Sequence, residues 1–216
     1  MKKKLSVPND LSEISLGQYQ KFHKIQEQND DPYFIQCKMI EIFCNLDALA
    51  VRKMKMNDAE RVSNIINGMF EKKPPLIKSF DIEDKEYSFI PDLNNISFGE
   101  YIDLDTNISD WQNMHLAMNV LYRPVKEKRG DKYLIEEYTL DRKDEMVDMP
   151  MSVVMGSIFF FFRLGMDLSK TMANYLENNQ EEALMEYLSL TENGDGINQF
   201  TVSLKEMLQD LKISLN

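Results

Sequence analysis

The sequence predicts an α+β protein, predominantly α-helical with two short β-hairpins. Three observations carry that reading. Capping boxes precede helix-period apolar runs at Ser15-Leu16-Gly17-Gln18 and at Ser97-Phe98-Gly99-Glu100. Extended stretches flank polar turns around Glu83-Asp84-Lys85-Glu86 and Arg129-Gly130-Asp131. Hydrophobic residues are 43% and charged residues 28% of 216 positions, enough apolar surface for a sizeable core. That composition excludes collagen, coiled-coil, disulfide-scaffold and wholly disordered classes.

The elements follow in order. Ser15 opens a helix to about Gln28, with Ile14 and Tyr19 placed as a hydrophobic staple. Asn29-Asp30-Asp31-Pro32 ends it, and Asp31 caps the next helix with Pro32 at its first position. Tyr33, Cys37, Ile40 and Cys44 mark that helix's buried stripe. A third helix starts near Asn57, where Glu60 completes another capping box. Its core face reads Val62, Ile65, Ile66, Met69 and Phe70. Pro74-Pro75 is the clearest boundary in the chain. Residues 1–75 are read as an N-terminal helical subdomain, and 76–216 as an α+β region with two hairpins and C-terminal helices. The two either pack as separate units or form one continuous domain.

Beyond Pro75, Phe80/Ile82 and Tyr87/Phe89 alternate around a charged turn as the first hairpin. Ile96 and Tyr101 staple the helix that Ser97 caps. Asp110 caps a helix with the stripe Trp111, Met114, Met118 and Leu121, ended by Arg123-Pro124. Val125 to Leu140 is the second extended excursion. Pro150 opens a long apolar helix to about Leu176, in which Gly156 and Gly165 mark a bend or the close approach of another backbone. A short acidic helix over 181–190, a turn at 193–196, and a final helix with Phe200, Leu204, Met207, Leu208 and Leu211 on one face complete the chain. The segment Glu13–Tyr19 echoes Asn95–Tyr101, either as a duplicated helix-pair unit or as one capping device used twice.

Charge narrows the function. The net charge is -11, with +2 over residues 1–75, -8 over 76–150 and -5 over 151–216. Broad gripping of nucleic acid needs a basic footprint, which this chain lacks. Cys37 and Cys44 lie seven residues apart, about 10 Å along a helix, too far for a disulfide. They read as core thiols of a reducing compartment. Met1-Lys2-Lys3-Lys4-Leu5 resembles the start of a signal peptide, but Asn9, Asp10 and Glu13 interrupt any apolar region after it. The apolar run Val153–Phe162 is ten residues, about half a bilayer core, so no membrane span is expected.

No catalytic, cofactor-binding or metal-binding residues are assigned. Glycine-rich phosphate loops, GxSxG and metal-spaced histidines are missing, and His23 and His115 have no ligand-spaced partner. A carboxylate-based enzyme is the least favoured class. Arg129-Gly130-Asp131 matches the integrin-binding tripeptide, a coincidence in a chain without disulfides. Eight of the 15 methionines lie between Met114 and Met172, as an adaptable core or, less favoured, as a mutable contact surface.

Three segments in order carry a resemblance: Ile96-Ser97-Phe98-Gly99-Glu100-Tyr101-Ile102-Asp103-Leu104, then Leu121-Tyr122-Arg123-Pro124-Val125, then Met149-Pro150-Met151 running into Val153–Gly156 and Phe159–Phe162. Together, over roughly residues 95–165, they resemble small structural proteins of tailed bacteriophages, most closely the connector and tail-barrel ring proteins of crAss-like phages. The resemblance implies a non-enzymatic virion subunit, made in the host cytoplasm, with no cofactor. Its expected partners are further copies of itself in a ring and neighbouring connector, tail or portal proteins, with DNA passing an acidic lumen without sequence-specific binding. The hairpin-tip residues Asp84, Lys85, Lys128 and Arg129 are the expected contacts. The alternative class is a soluble tail-assembly chaperone that binds another virion protein and leaves.

Overall fold

A computed structural model describes residues 6–130 and 132–178, with side-chain surroundings as far as residue 167. The helices and turn expected after residue 180 lie outside the described residues, as does Asp131. The α+β, mostly helical class holds. The described α-helices are α1 (Leu16–Glu27), α2 (Pro32–Phe43), α3 (Ala48–Arg52), α4 (Met56–Phe70), α5 (Phe98–Asn107), α6 (Met114–Leu121) and α7 (Met151–Asn178). The strands are β1 (Ser79–Ile82), β2 (Lys85–Phe89), β3 (Tyr122–Arg129) and β4 (Lys132–Ile135). Residues 140–148 form a 3-10 segment where an extended stretch was expected to finish.

The caps form as their residue types dictate. Ser15 Oγ accepts from Gln18 N at 3.2 Å while Gln18 Oε1 accepts from Ser15 N at 3.0 Å. Ser97 and Glu100 repeat the arrangement, and Asp31 caps α2 with Pro32 at its first position. The box expected at Asn57 and Glu60 does not form. Helix α4 begins one residue earlier, at Met56, with Lys55 as a cap that makes no side-chain bond. Ahead of it, Asp47 accepts from Ala50 N at 2.8 Å and nucleates the unexpected short helix α3. At Asp110, the side chain accepts from Gln112 N, but residues 111–113 form a turn and the helix proper starts at Met114.

The two hairpins are not separate. Strands β2 and β3 pair, so both hairpins merge into one antiparallel four-stranded sheet in the order β1-β2-β3-β4. Proline is rare inside a sheet because it cannot donate to the ladder. Pro124 is accommodated because β3 pairs with β2 through Tyr122–Pro124 and with β4 from Val125 onward. Its carbonyl accepts from Glu136 N at 2.9 Å as the second pairing takes over.

One buried core runs on both sides of Pro75. Ile14, Leu16, Tyr19, Phe22, Ile66 and Phe70 belong to it, and so do Trp111, Met114, Tyr122 and Val154. Tyr19 meets Trp111 edge-on at 4.6 Å and Phe70 at 5.4 Å. The start of α1 is clamped to the start of α7 by Leu16 N to Met149 O and Met151 N to Ile14 O, both 2.8 Å. Helix α7 then crosses the sheet, with Phe89 edge-on to Phe160. Gly156 lies where a backbone approaches, since a Cβ there would stand 2.4 Å from the Pro75 carbonyl oxygen. Met114, Met118, Met146, Met149, Met151 and Met155 are all buried, so this part of the methionine run is core.

Burial departs from periodicity at a few places. Tyr33 is 69% exposed at the first turn of α2, and Ile65 is exposed on α4, although both were expected inside. Each stripe is wider in the sequence than the surface its helix actually covers. The echoed segments also diverge: Leu16 is fully buried, whereas its counterpart Phe98 is 79% exposed. Cys44 is buried and Cys37 only partly so. Burial pushes the Cys44 thiol up to about 11. Thiol labelling at pH 8 is therefore expected to modify Cys37 first, with Cys44 reacting only on unfolding. Mass mapping of partly labelled protein checks this; Cys44 reacting first would contradict it.

Candidate functional site

The four expected contact residues come together at one end of the sheet. The β1–β2 turn is Glu83-Asp84, closed by the Ile82–Lys85 pair. The β3–β4 turn is closed by the Arg129–Lys132 pair. Because β2 and β3 are antiparallel neighbours, both turns project in the same direction. Lys128 Nζ bonds Glu86 Oε1 at 2.5 Å and ties the second hairpin to the first.

The four residues are not equivalent. Asp84 makes no ion pair among the described residues, and its neighbour Glu83 holds a left-handed φ of 52°, uncommon for a residue with a side chain. Lys85 bonds Glu145 Oε2 at 3.2 Å and lies 5.5 Å from the Tyr87 ring centre. Lys128 is engaged by Glu86, which raises its pKa. Arg129 meets Glu127 at 2.6 Å, yet its side chain is 85% exposed. Asp84 and Arg129 therefore face outward, whereas Lys85 and Lys128 largely brace the sheet end.

Glu145, on the 3-10 segment, was not anticipated. It accepts from the Tyr87 hydroxyl and from Lys85, and these partners hold its carboxyl below the usual range against the opposing effect of burial. Burial and the Glu145 contact push Tyr87 up. Tyr87, Glu145, Asp148 and the first hairpin tip enclose an open depression of about 440 Å³. A second, of about 300 Å³, lies at the other tip between Glu127, Arg129, Lys132 and Leu134. No local spacing announces Glu145, since it reaches Lys85 across 60 positions of sequence.

The histidines have structural surroundings. His115 Nδ1 is 3.1 Å from Gln20 Nε2, which also donates to the Trp111 carbonyl at 2.8 Å. Burial lowers the His115 pKa. His23 packs beside Tyr19 and Trp111. Among the described residues, no group of three or more His, Cys, Asp or Glu side chains is placed to hold a metal ion. No helix among the described residues is long and apolar enough to cross a membrane.

No protein-family model, curated protein or solved structure matches the chain at a significant level.

Proposed function

We propose that this chain is a non-enzymatic structural subunit of a tailed-phage virion, part of a head–tail connector or tail ring, working by self-association and docking to neighbouring rings. The observation that carries the reading is the joining of both hairpins in one sheet, with two differently charged tips side by side. Ring contacts are heterologous, so a subunit needs two unlike patches rather than one self-complementary patch. The two tips supply unlike patches on one rigid element. The three-segment resemblance over residues 95–165 supports a phage-particle role, and the acidic excess suits a lumen that DNA slides past.

A chaperone would use the methionine run as a mutable contact surface. Six of those methionines are buried at 0–1% exposure, which removes that support. Mass spectrometry of purified particles with cross-linking tests the proposal. The chain is expected in multiple copies, cross-linked to itself and to portal or tail proteins. Its absence from particles would favour a transient assembly role.

A further inference from the structure

We propose that successive copies join by adding β4 of one copy to β1 of the next, so that the sheet continues across the interface with the basic tip of one copy against the acidic tip of its neighbour. This inference rests on the ring reading above and names the surface that would build it.

The sheet order leaves β1 and β4 as the two edges. No outward backbone group of residues 79–82 or 132–135 is hydrogen-bonded to another described segment. An open edge is a template for a further strand. Both edges are four residues long. Three successive antiparallel pairings make β1 and β4 run in opposite directions. Placing β4 beside the β1 of another copy therefore continues the antiparallel pattern, and it brings the Lys132 end of β4 to the Ile82 end of β1.

Charge selects the same pairing. Residues 81–86 carry four carboxylates and one cation, while residues 126–132 carry four cations and two carboxylates. Among the described residues, Asp81, Glu83 and Asp84 make no ion pair, and neither does Lys132. In the proposed pairing Glu83 and Asp84 approach Lys132 and the exposed Arg129. Leu134, 62% exposed on β4, would be covered by the neighbour. Because two different patches meet, the contact is heterologous and repeats around a ring or along a filament. Main-chain bonds would supply affinity, and the charges would set partner and register.

The test is sedimentation and native mass spectrometry of the full chain with two charge reversals. One variant is Glu83→Lys with Asp84→Lys; the other is Arg129→Glu with Lys132→Glu. Each alone is expected to weaken association roughly a hundredfold, since like charges then face each other. An equimolar mixture of the two is expected to assemble with both forms incorporated, and so is the single chain carrying all four changes. The rescue separates a lost contact from a folding defect, and circular dichroism of each variant provides a direct check. Wild-type assemblies that ignore both reversals overturn this interface and leave the ring reading standing. A wild-type dimer that grows no further overturns the heterologous pairing. A chain that is monomeric at every concentration overturns both.

Discussion

Replacing Arg123 by methionine is expected to lower the free energy of unfolding by about 3 kcal/mol, the low end for breaking a buried ion pair from one side. Arg123 and Glu100 are both more than nine-tenths buried. The guanidinium bonds Glu100 Oε1, its Nε donates to the Val120 carbonyl at 3.3 Å, and it lies 5.7 Å from the Tyr138 ring centre. Removing it leaves the Glu100 carboxylate buried with only the Ser97 capping bonds. Urea denaturation reads the loss. The paired change Glu100→Gln with Arg123→Met is expected to cost less than the sum of its parts, because neither variant side chain then leaves a charge stranded. Full additivity would show that the pair does not interact.

The same pair predicts a pH dependence. Burial by itself would raise the Glu100 pKa, but the Ser97 hydrogen bonds and Arg123 together outweigh it, and the net shift is downward from 4.5. A depressed folded pKa means that the unfolded chain binds this proton more readily. The contribution of Glu100 is therefore complete above the ordinary value and lost as pH falls through the lower folded value. The stability gap between wild type and Glu100→Gln is expected to be constant from pH 7 to about 5 and to close at lower pH. With Arg123→Met as the background, burial gains relative weight and the gap should close at higher pH. A gap unchanged down to pH 3 would exclude the ionised pair as its source.

Gly156→Ala is expected to destabilise the protein by about 2 kcal/mol, the usual scale of overpacking. Alanine favours a helix interior over glycine by ~1 kcal/mol, so the steric cost must exceed that gain. It does because the obstacle is backbone. The added methyl would stand 2.4 Å from the Pro75 carbonyl oxygen and 3.2 Å from its carbon. That segment cannot easily retreat, since the Tyr122 hydroxyl holds the Ile77 carbonyl at 2.8 Å and also meets Ser157 Oγ at 2.8 Å. Gly68 in α4 is the control, as nothing lies within 4 Å of a Cβ built there. Gly68→Ala is expected to raise stability by about 0.5–1 kcal/mol, the intrinsic propensity difference. Thermal or urea midpoints of opposite sign for the two changes confirm the close approach; equal signs would contradict it.

Much of the local structure was legible from the residues themselves. Ser15 with Gln18, Ser97 with Glu100, and Asp31 before Pro32 each mark a helix start that forms as read. The polar turns at Glu83-Asp84 and after Arg129 were legible as hairpins, and Gly156 as either a bend or a close approach, of which the structure shows the close approach. Errors arose where two readings competed locally. Asn57 and Glu60 fit a capping box, yet the helix starts at Met56 with Lys55 in the cap position, and Asp47 opens a separate short helix ahead of it. Tyr33 and Ile65 fit apolar stripes that no described element covers.

The candidate site was legible only in part. Hairpin tips are readable from turn composition, so Asp84, Lys85, Lys128 and Arg129 could be singled out. That the tips are adjacent, and that Lys85 and Lys128 are engaged by Glu145 and Glu86, depends on strand partners far apart in sequence.

The sequence by itself determined where helices begin, where the chain turns and which residue types can form a core. Those features use donors, acceptors and backbone preferences within about four residues of one another, so their partners are already in view. Only the tertiary structure decided that two hairpins become one sheet, that Leu16 is buried while its echo Phe98 is exposed, and that the Pro75 backbone lies against Gly156. These are choices among distant surfaces, and the alternating pattern of a strand or the stripe of a helix is satisfied equally well by several of them until the whole chain has packed.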